Sequence, residues 1–247
     1  MSAPHADLGA ALAALAARRP LLLASDYDGV VSPLADVPSE AGPEPGVAEV
    51  LGRLSAVPGV TVALVSGRGL ADLQATSGFT GDLRWIGSHG AEFDGPLTGD
   101  LAGRRDELAA RLEPLVAGTP GARLEIKPAS VAVHVRQVPD RPAAAALLEQ
   151  ARAAIDPSLT MKPGKDVFEV AVTDADKGSA ARRLAAEIGA QGVLYLGDDV
   201  TDEDVFRVLG GDDVGVKVGA GETAAAHRVS DPPAVRALLE QLADLLG

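Results

Sequence analysis

The sequence has no cysteine among its 247 residues, which removes thiol nucleophiles, disulfide frameworks and thiolate metal sites from consideration. Histidine is scarce: His5, His89, His134 and His227 are too scattered to read as a zinc cluster, so any metal must rest on oxygen. Positive charge is in deficit, with 22 Lys and Arg against 35 Asp and Glu and a net charge of −13, which argues against nucleic acid and against an anionic membrane surface as partners. No apolar run reaches the roughly 20 residues that span a bilayer. The N-terminal stretch runs apolar first and basic afterwards, ending at Arg18, Arg19 and Pro20, and so lacks a secretory leader's charged start. The expectation is a cytoplasmic monomer acting on a small soluble ligand. Apolar residues are plentiful at 47%, enough for one large domain or two small ones without staples, which excludes disorder as the main state.

Residues 7 to 19 are Ala-rich with spaced leucines and predict a helix. After Pro20, Leu21 to Ala24 form a short, fully apolar run stopped by Ser25-Asp26, the pattern of a buried parallel strand. The same pattern recurs at Val60 to Val65, Val193 to Leu196 and Val214 to Val218, with helical stretches between, which implies a doubly wound α/β sheet. The middle differs. A helix to Val116, two strands from Leu124 to Val135 broken near Pro128, a helix from Pro142 to Ile155 and strands near Leu159 and Val167 to Val172 predict a small α+β insert with an antiparallel sheet. This places the core at 1–100 and 173–247 and the insert at 101–172. The insert carries 10 basic and 9 acidic residues, a net of +1, against 12 and 26, a net of −14, in the rest.

Four strand ends carry candidate chemistry. Asp26-Tyr27-Asp28-Gly29 follows the first strand, where ligands of open α/β sheets bind, and supplies one carboxylate to attack phosphorus and another to move protons. Read alone, it could be an Asx-turn. Ser66 ends the second strand and, with Gly67 and Arg68, leads into a helix whose free N–H groups would seat a phosphate; read alone, Ser66 is an N-cap. Lys177 begins a helix after Asp174-Ala175-Asp176, where an ammonium could offset phosphate charge. Gly197-Asp198-Asp199-Val200-Thr201-Asp202-Glu203-Asp204 concentrates five carboxylates behind a buried strand and asks for a cation, for which Mg²⁺ suits the hard oxygens. Glu203 and Asp204 read as an acidic first helical turn.

Taken together, this order of D-x-D-G, Ser, Lys and D-D resembles the haloacid dehalogenase superfamily of phosphatases. The resemblance implies a Rossmann-like core with an inserted α/β cap, Asp26 as nucleophile, Asp28 as general acid/base, and Ser66 and Lys177 on the phosphoryl group. Mg²⁺ would rest on Asp198, the Asp26 carboxylate and the Asp28 carbonyl, with Asp199 and Asp202 orienting Lys177 and the metal's waters. The insert between Ser66 and Lys177 sits where that superfamily places its cap, which excludes water and reads the leaving group.

Further stretches are similar to trehalose-6-phosphate phosphatases: Gly87-Ser88-His89-Gly90-Ala91-Glu92, Glu125 with Lys127, His134 with Arg136, Gly164-Lys165 with Glu169, and Gly197 to Glu203. Two positions depart from that pattern: Val135 stands for a usual Tyr, and Val30-Val31 for Thr-Leu. The resemblance implies hydrolysis of trehalose 6-phosphate, with Glu125, Lys127, Arg136, Lys165 and Glu169 on the sugar. Gly67 and Arg68 join the substrate-binding set, and His89 and His134 complete the candidates, His134 serving equally well as a structural residue. Without the resemblance, the charges of the insert read as strand-surface pairing. The rival readings are another capped phosphatase, acting on sucrose phosphate, a mannosyl phosphoglycerate or a hexose phosphate, a related mutase, or a receiver-like phospho-acceptor module.

Overall fold

A computed structural model describes residues 7–35, 37 and 40–247; His5 and the start of the loop from Pro38 lie outside them. The chain divides into two compact units, Met1–Gly95 with Ala175–Gly247, and Pro96–Asp174.

The first unit is built on a seven-stranded sheet. Its strands are β1 (Leu21–Ser25), β2 (Val60–Val65), β3 (Leu83–Gly87), β4 (Glu92–Phe93), β9 (Gly192–Gly197), β10 (Val214–Val218) and β11 (His227–Val229). The spatial order is β11-β10-β9-β1-β2-β3-β4, all parallel except the antiparallel β4. β1 shows why the run is apolar throughout. Leu21 and Leu23 pack on one face, with α1 (Leu8–Ala16), α2 (Val47–Ser55), α3 (Leu70–Ser77) and α8 (Pro232–Leu246). Leu22 and Ala24 pack on the other, with α6 (Lys177–Glu187) and α7 (Glu203–Phe206). A strand covered on both faces has no polar side to alternate with. The order of strands reverses direction beside β1, between β2 and β9, and such a switch point opens a crevice at the carboxyl ends.

The second unit has a four-stranded antiparallel sheet ordered β5-β6-β8-β7, from β5 (Arg123–Ile126), β6 (Ser130–His134), β7 (Thr160–Gly164) and β8 (Val167–Ala171). Helices α4 (Asp100–Ala117) and α5 (Arg141–Ala153) cover one face, where Val131, Val133, Phe168 and Val170 meet Leu108, Leu112 and Leu147. The opposite face carries Glu125, Ala132 and Glu169 in register across three strands. Period-two alternation in residue type, absent from the first unit's central strands, appears here because helices cover only one face. Among the described residues no helix is long and apolar enough to cross a membrane.

Candidate active site

Adjacent strands deliver the candidates to one edge of the first unit. Asp26 follows β1 and continues its ladder, donating its N–H to the Leu196 carbonyl at 2.9 Å, and Ser66 does the same from β2 to Ile86. Tyr27, between the two aspartates, turns the other way. It is buried in the core and its hydroxyl donates to the Ala41 carbonyl at 2.7 Å. Alternation about that anchored ring sends Asp26 and Asp28 to the same side. Gly29 must be glycine for two reasons: its φ is +75°, and a Cβ there would stand 2.1 Å from Asp198 Oδ2.

Lys177 is the first residue of α6, whose capping box is Asp176 with Ser179. It is no surface lysine: it is 2% exposed, and its ammonium donates to Asp26 Oδ2 at 2.7 Å and to Asp202 Oδ1 at 2.8 Å. Carboxylate oxygens of Asp26, Asp198 and Asp202 lie within 4.8 Å of one another, a spacing that could hold a metal ion. The three are not equivalent. Asp202 Oδ1 also accepts from the Tyr195 hydroxyl at 2.7 Å, and its Oδ2 accepts from the N–H groups of Asp198 and Asp199 at 2.9 Å each. Both Asp202 oxygens are therefore engaged twice over, whereas the Asp198 carboxylate accepts no hydrogen bond among the described residues. Asp202 orients; Asp198 is free to ligate.

Burial pushes the Asp26 carboxyl up to about 7, with the Lys177 ammonium opposing and the Asp202 carboxylate adding to the rise. Burial likewise raises Asp198 to about 6, reinforced by Asp202. The carboxylates of Asp26 and Asp202 hold the Lys177 ammonium protonated against its own burial. The hard oxygens of these buried carboxyls fit a divalent ion of the Mg²⁺ type, whose charge would offset the burial that lifts them.

Several placements differ from the sequence expectation. Arg68 is committed to carboxylates: its Nε and Nη2 meet Asp28 Oδ2 and Oδ1 at 2.7 and 2.8 Å, and its Nη1 meets Asp72 at 2.9 Å. Ser66 is not an N-cap, because α3 starts at Leu70 with Gly69 as its cap, and the Ser66 hydroxyl accepts from the Arg68 N–H. The Leu70 N–H is not free for phosphate; it donates to Glu92 Oε2 at 2.9 Å. The carboxylate of the family-like Gly-x-His-Gly-x-Glu stretch thus sits on the helix N-terminus, where the dipole favours it. Asp199 does not orient Lys177: it is exposed, and its carboxylate accepts from the Val200 N–H at 2.7 Å, because the chain turns outward after Asp198. Glu203 does open α7 but is buried, accepting from the Ala224 N–H at 2.8 Å. Gly67 and His89 pack together, a Cβ on Gly67 meeting the His89 ring at 2.5 Å.

On the polar face of the second unit the candidates pair with one another. Lys127 Nζ meets Glu169 Oε2 at 2.8 Å, the Ser130 hydroxyl donates to Glu169 Oε1 at 2.6 Å, and His134 Nε2 lies 2.6 Å from Glu125 Oε2. Arg136 and Lys165 are exposed on the turns beyond β6 and between β7 and β8. Val135 is buried in the apolar core on the helix side, so its departure from the family-like Tyr alters packing rather than the polar face. Sequence reading missed Tyr195, Ser130 and Lys217, each a polar residue inside or beside an apolar run, with partners 7, 39 and 19 positions away; Glu92 was seen only within a family-like stretch, with no role assigned to it.

Residues 24–233 match the family model for trehalose-phosphatase. The chain is 36% identical over 241 residues to the bifunctional trehalose-6-phosphate synthase/phosphatase of Thermoproteus tenax, covering 93% of this chain and 32% of that protein. It is 31% identical over 238 residues to the trehalose-6-phosphate phosphatase of Escherichia coli, covering 90% and 86%. A crystal structure of Aspergillus fumigatus trehalose-6-phosphate phosphatase superposes with a TM-score of 0.76 at 28% identity, covering 98% of this chain and 99% of that one. The chain spans less than two thirds of the archaeal relative and of the mycobacterial trehalose-phosphate phosphatases, 64% in Mycolicibacterium paratuberculosis.

Proposed function

The chain belongs to the trehalose-phosphatase family, and on that footing we propose that it hydrolyses trehalose 6-phosphate to trehalose and inorganic phosphate with Mg²⁺ bound. The observation that carries this reading is the buried Asp26–Lys177–Asp202 bridge beside the uncommitted Asp198 carboxylate. Asp26 Oδ1 accepts from the Tyr27 N–H at 2.7 Å and its Oδ2 is held by Lys177, which fixes the carboxylate for in-line attack on phosphorus. Attack forms an aspartyl phosphate and breaks the bond from phosphorus to the sugar oxygen. Asp28 gives that oxygen its proton and then removes one from the hydrolytic water. Arg68 now chelates Asp28 through Nε and Nη2 and so orients it; the dianionic phosphoryl group, on entering, competes for the same guanidinium. Lys177 and Ser66 face the developing charge. Asp198, with the Asp26 carboxylate and the Asp28 carbonyl, would hold the Mg²⁺, which would supply charge neutralisation at the phosphoryl oxygens.

The second unit is assigned the role of reading the sugar. Lys127 and Glu169 would exchange their mutual pair, and Glu125 its contact with His134, for hydroxyl groups; Arg136 and Lys165 would add donors from the turns, and Ser130 positions Glu169. A panel of trehalose 6-phosphate, sucrose 6-phosphate, glucose 6-phosphate, a mannosyl phosphoglycerate and a small aryl phosphate tests this. The expected result is sustained release of phosphate, highest kcat/KM for trehalose 6-phosphate, and loss of activity with chelator. Lys127→Ala should lower kcat/KM for trehalose 6-phosphate about 10–100-fold, the worth of one charged hydrogen bond, while leaving the aryl ester nearly untouched. Preference for another sugar phosphate would overturn the substrate; a single stoichiometric phosphorylation would overturn the enzyme.

Metal binding should also depend on pH with a defined sign. Asp26 near 7 and Asp198 near 6 must lose protons before they ligate, so Mg²⁺ affinity rises as pH rises from about 5 to 8 and binding releases protons. Without metal, both groups bind protons more tightly folded than unfolded. Their contribution to stability is therefore present below the unfolded carboxyl range and is lost as pH rises toward 7. Calorimetric titration in two buffers of different ionisation enthalpy measures the protons released. None released at pH 6 would sink the assignment of these two ligands.

A further inference from the structure

Lys217 is a buried cation that the reaction described above does not use. It lies on β10 directly opposite Gly197 of β9, 4% exposed, and forms no ion pair among the described residues. Its ammonium donates instead to the main-chain carbonyl of Asp198. Burying an ammonium whose hydrogen bond goes to a carbonyl, with the Asp198 carboxylate near but not in contact, is costly, and an apolar side chain of the same length would fill the strand position with a smaller penalty. Packing therefore does not account for it.

The local backbone does. The pairing of β9 with β10 ends at Gly197, so Asp198 leaves the sheet with no strand partner for its carbonyl. At that point three carboxylates crowd within 4.8 Å, and their repulsion favours swinging the Asp198 segment outward. Asp198 is nevertheless held on both sides. Its N–H donates to Asp202 Oδ2 at 2.9 Å, and its carbonyl receives Lys217, whose side chain supplies the rung the sheet lacks.

We propose that Lys217 is a positioning residue that clamps the Asp198 main chain so that its carboxylate is presented to the divalent cation. This rests on the reading of Asp198 as a metal ligand. The sign of the effect separates positioning from charge. The titration is run at pH 8, well above the Asp198 carboxyl at about 6, because Lys217 also lowers that carboxyl; there a positive side chain next to a cation site repels the ion, so loss of charge alone would tighten binding, whereas loss of the clamp weakens it.

The test is calorimetric titration of Mg²⁺ into the full chain without substrate, for wild type, Lys217→Met, Lys217→Gln and Lys217→Arg, with thermal melts alongside. Lys217→Met should weaken Mg²⁺ binding about 10–100-fold, the range seen when a group supporting a ligand is removed. Lys217→Arg and Lys217→Gln, which keep a donor, should recover part of the loss and serve as the readout if the Met variant fails to fold. With the aryl phosphate, kcat at limiting Mg²⁺ should fall and return as Mg²⁺ is raised, with KM for the ester unchanged. Unchanged or tighter Mg²⁺ binding in Lys217→Met, or a lower melting temperature with an unaltered isotherm, overturns the proposal. Wild type that takes up no Mg²⁺ overturns the ligand reading itself, and the inference with it. Failure of the substrate reading alone leaves the isotherms to decide.

Discussion

Asp26→Asn should reduce kcat by a factor on the order of 10⁶, the size expected when a covalent nucleophile is removed, with trehalose 6-phosphate still bound. The amide keeps the shape of the carboxylate but lacks the electron pair to attack phosphorus. On the proposed ligand set it would also weaken one metal contact, and it weakens one of the two partners of Lys177, leaving Asp202 to hold that ammonium at 2.8 Å. Folding should therefore survive. The measurement is phosphate release over hours at saturating Mg²⁺, with a melt to confirm the native state. Turnover within tenfold of wild type would remove Asp26 from the chemistry and with it the aspartyl phosphate.

Lys177→Met should damage stability as well as rate. Its removal strands the carboxylates of Asp26 and Asp202, whose side chains are 8% and 0% exposed, without their shared counter-ion. Breaking a buried pair from one side costs about 3–5 kcal/mol, which for a chain of this size lowers the melting temperature by about 6–20 °C. The penalty should grow as pH rises, because burial already lifts Asp26 to about 7 and the variant must ionise it without help. Mg²⁺ should restore part of the loss. Turnover should fall at least about 10²–10³-fold, the worth of one charged donor on the transferring phosphoryl group. Melts at pH 5.5 and 8 with chelator measure the first effect; equal losses at the two values would contradict the pairing of Lys177 with a raised carboxyl.

Much of the fold was readable because burial leaves a periodicity. Strands β1, β2, β9 and β10 are apolar runs since helices cover both faces, and the second unit alternates since they cover one. The chemistry was readable where it clusters in sequence, as at Asp26 with Asp28 and at Asp198 with Asp202. Tyr195 and Lys217 were not, since a lone hydroxyl or ammonium inside an apolar strand carries no periodic mark of its partner. Glu92 was visible only as part of a family-like stretch. Its position on the N-terminus of α3, 22 residues earlier in the chain, follows from β4 pairing antiparallel with β3.

The sequence by itself determined the inventory: which strand ends carry oxygen, hydroxyl or ammonium, in what order, and that no thiol or imidazole cluster competes with them. Tertiary structure alone decided the allocation. It gave Arg68 to Asp28 instead of leaving its donors free, saturated Asp202 while sparing Asp198, and turned Asp199 outward. Those outcomes depend on strand order and on partners such as Lys177, 151 positions from Asp26. A hydrogen bond is settled by distances of a fraction of an ångström across the sheet, and linear spacing does not encode such distances between remote segments.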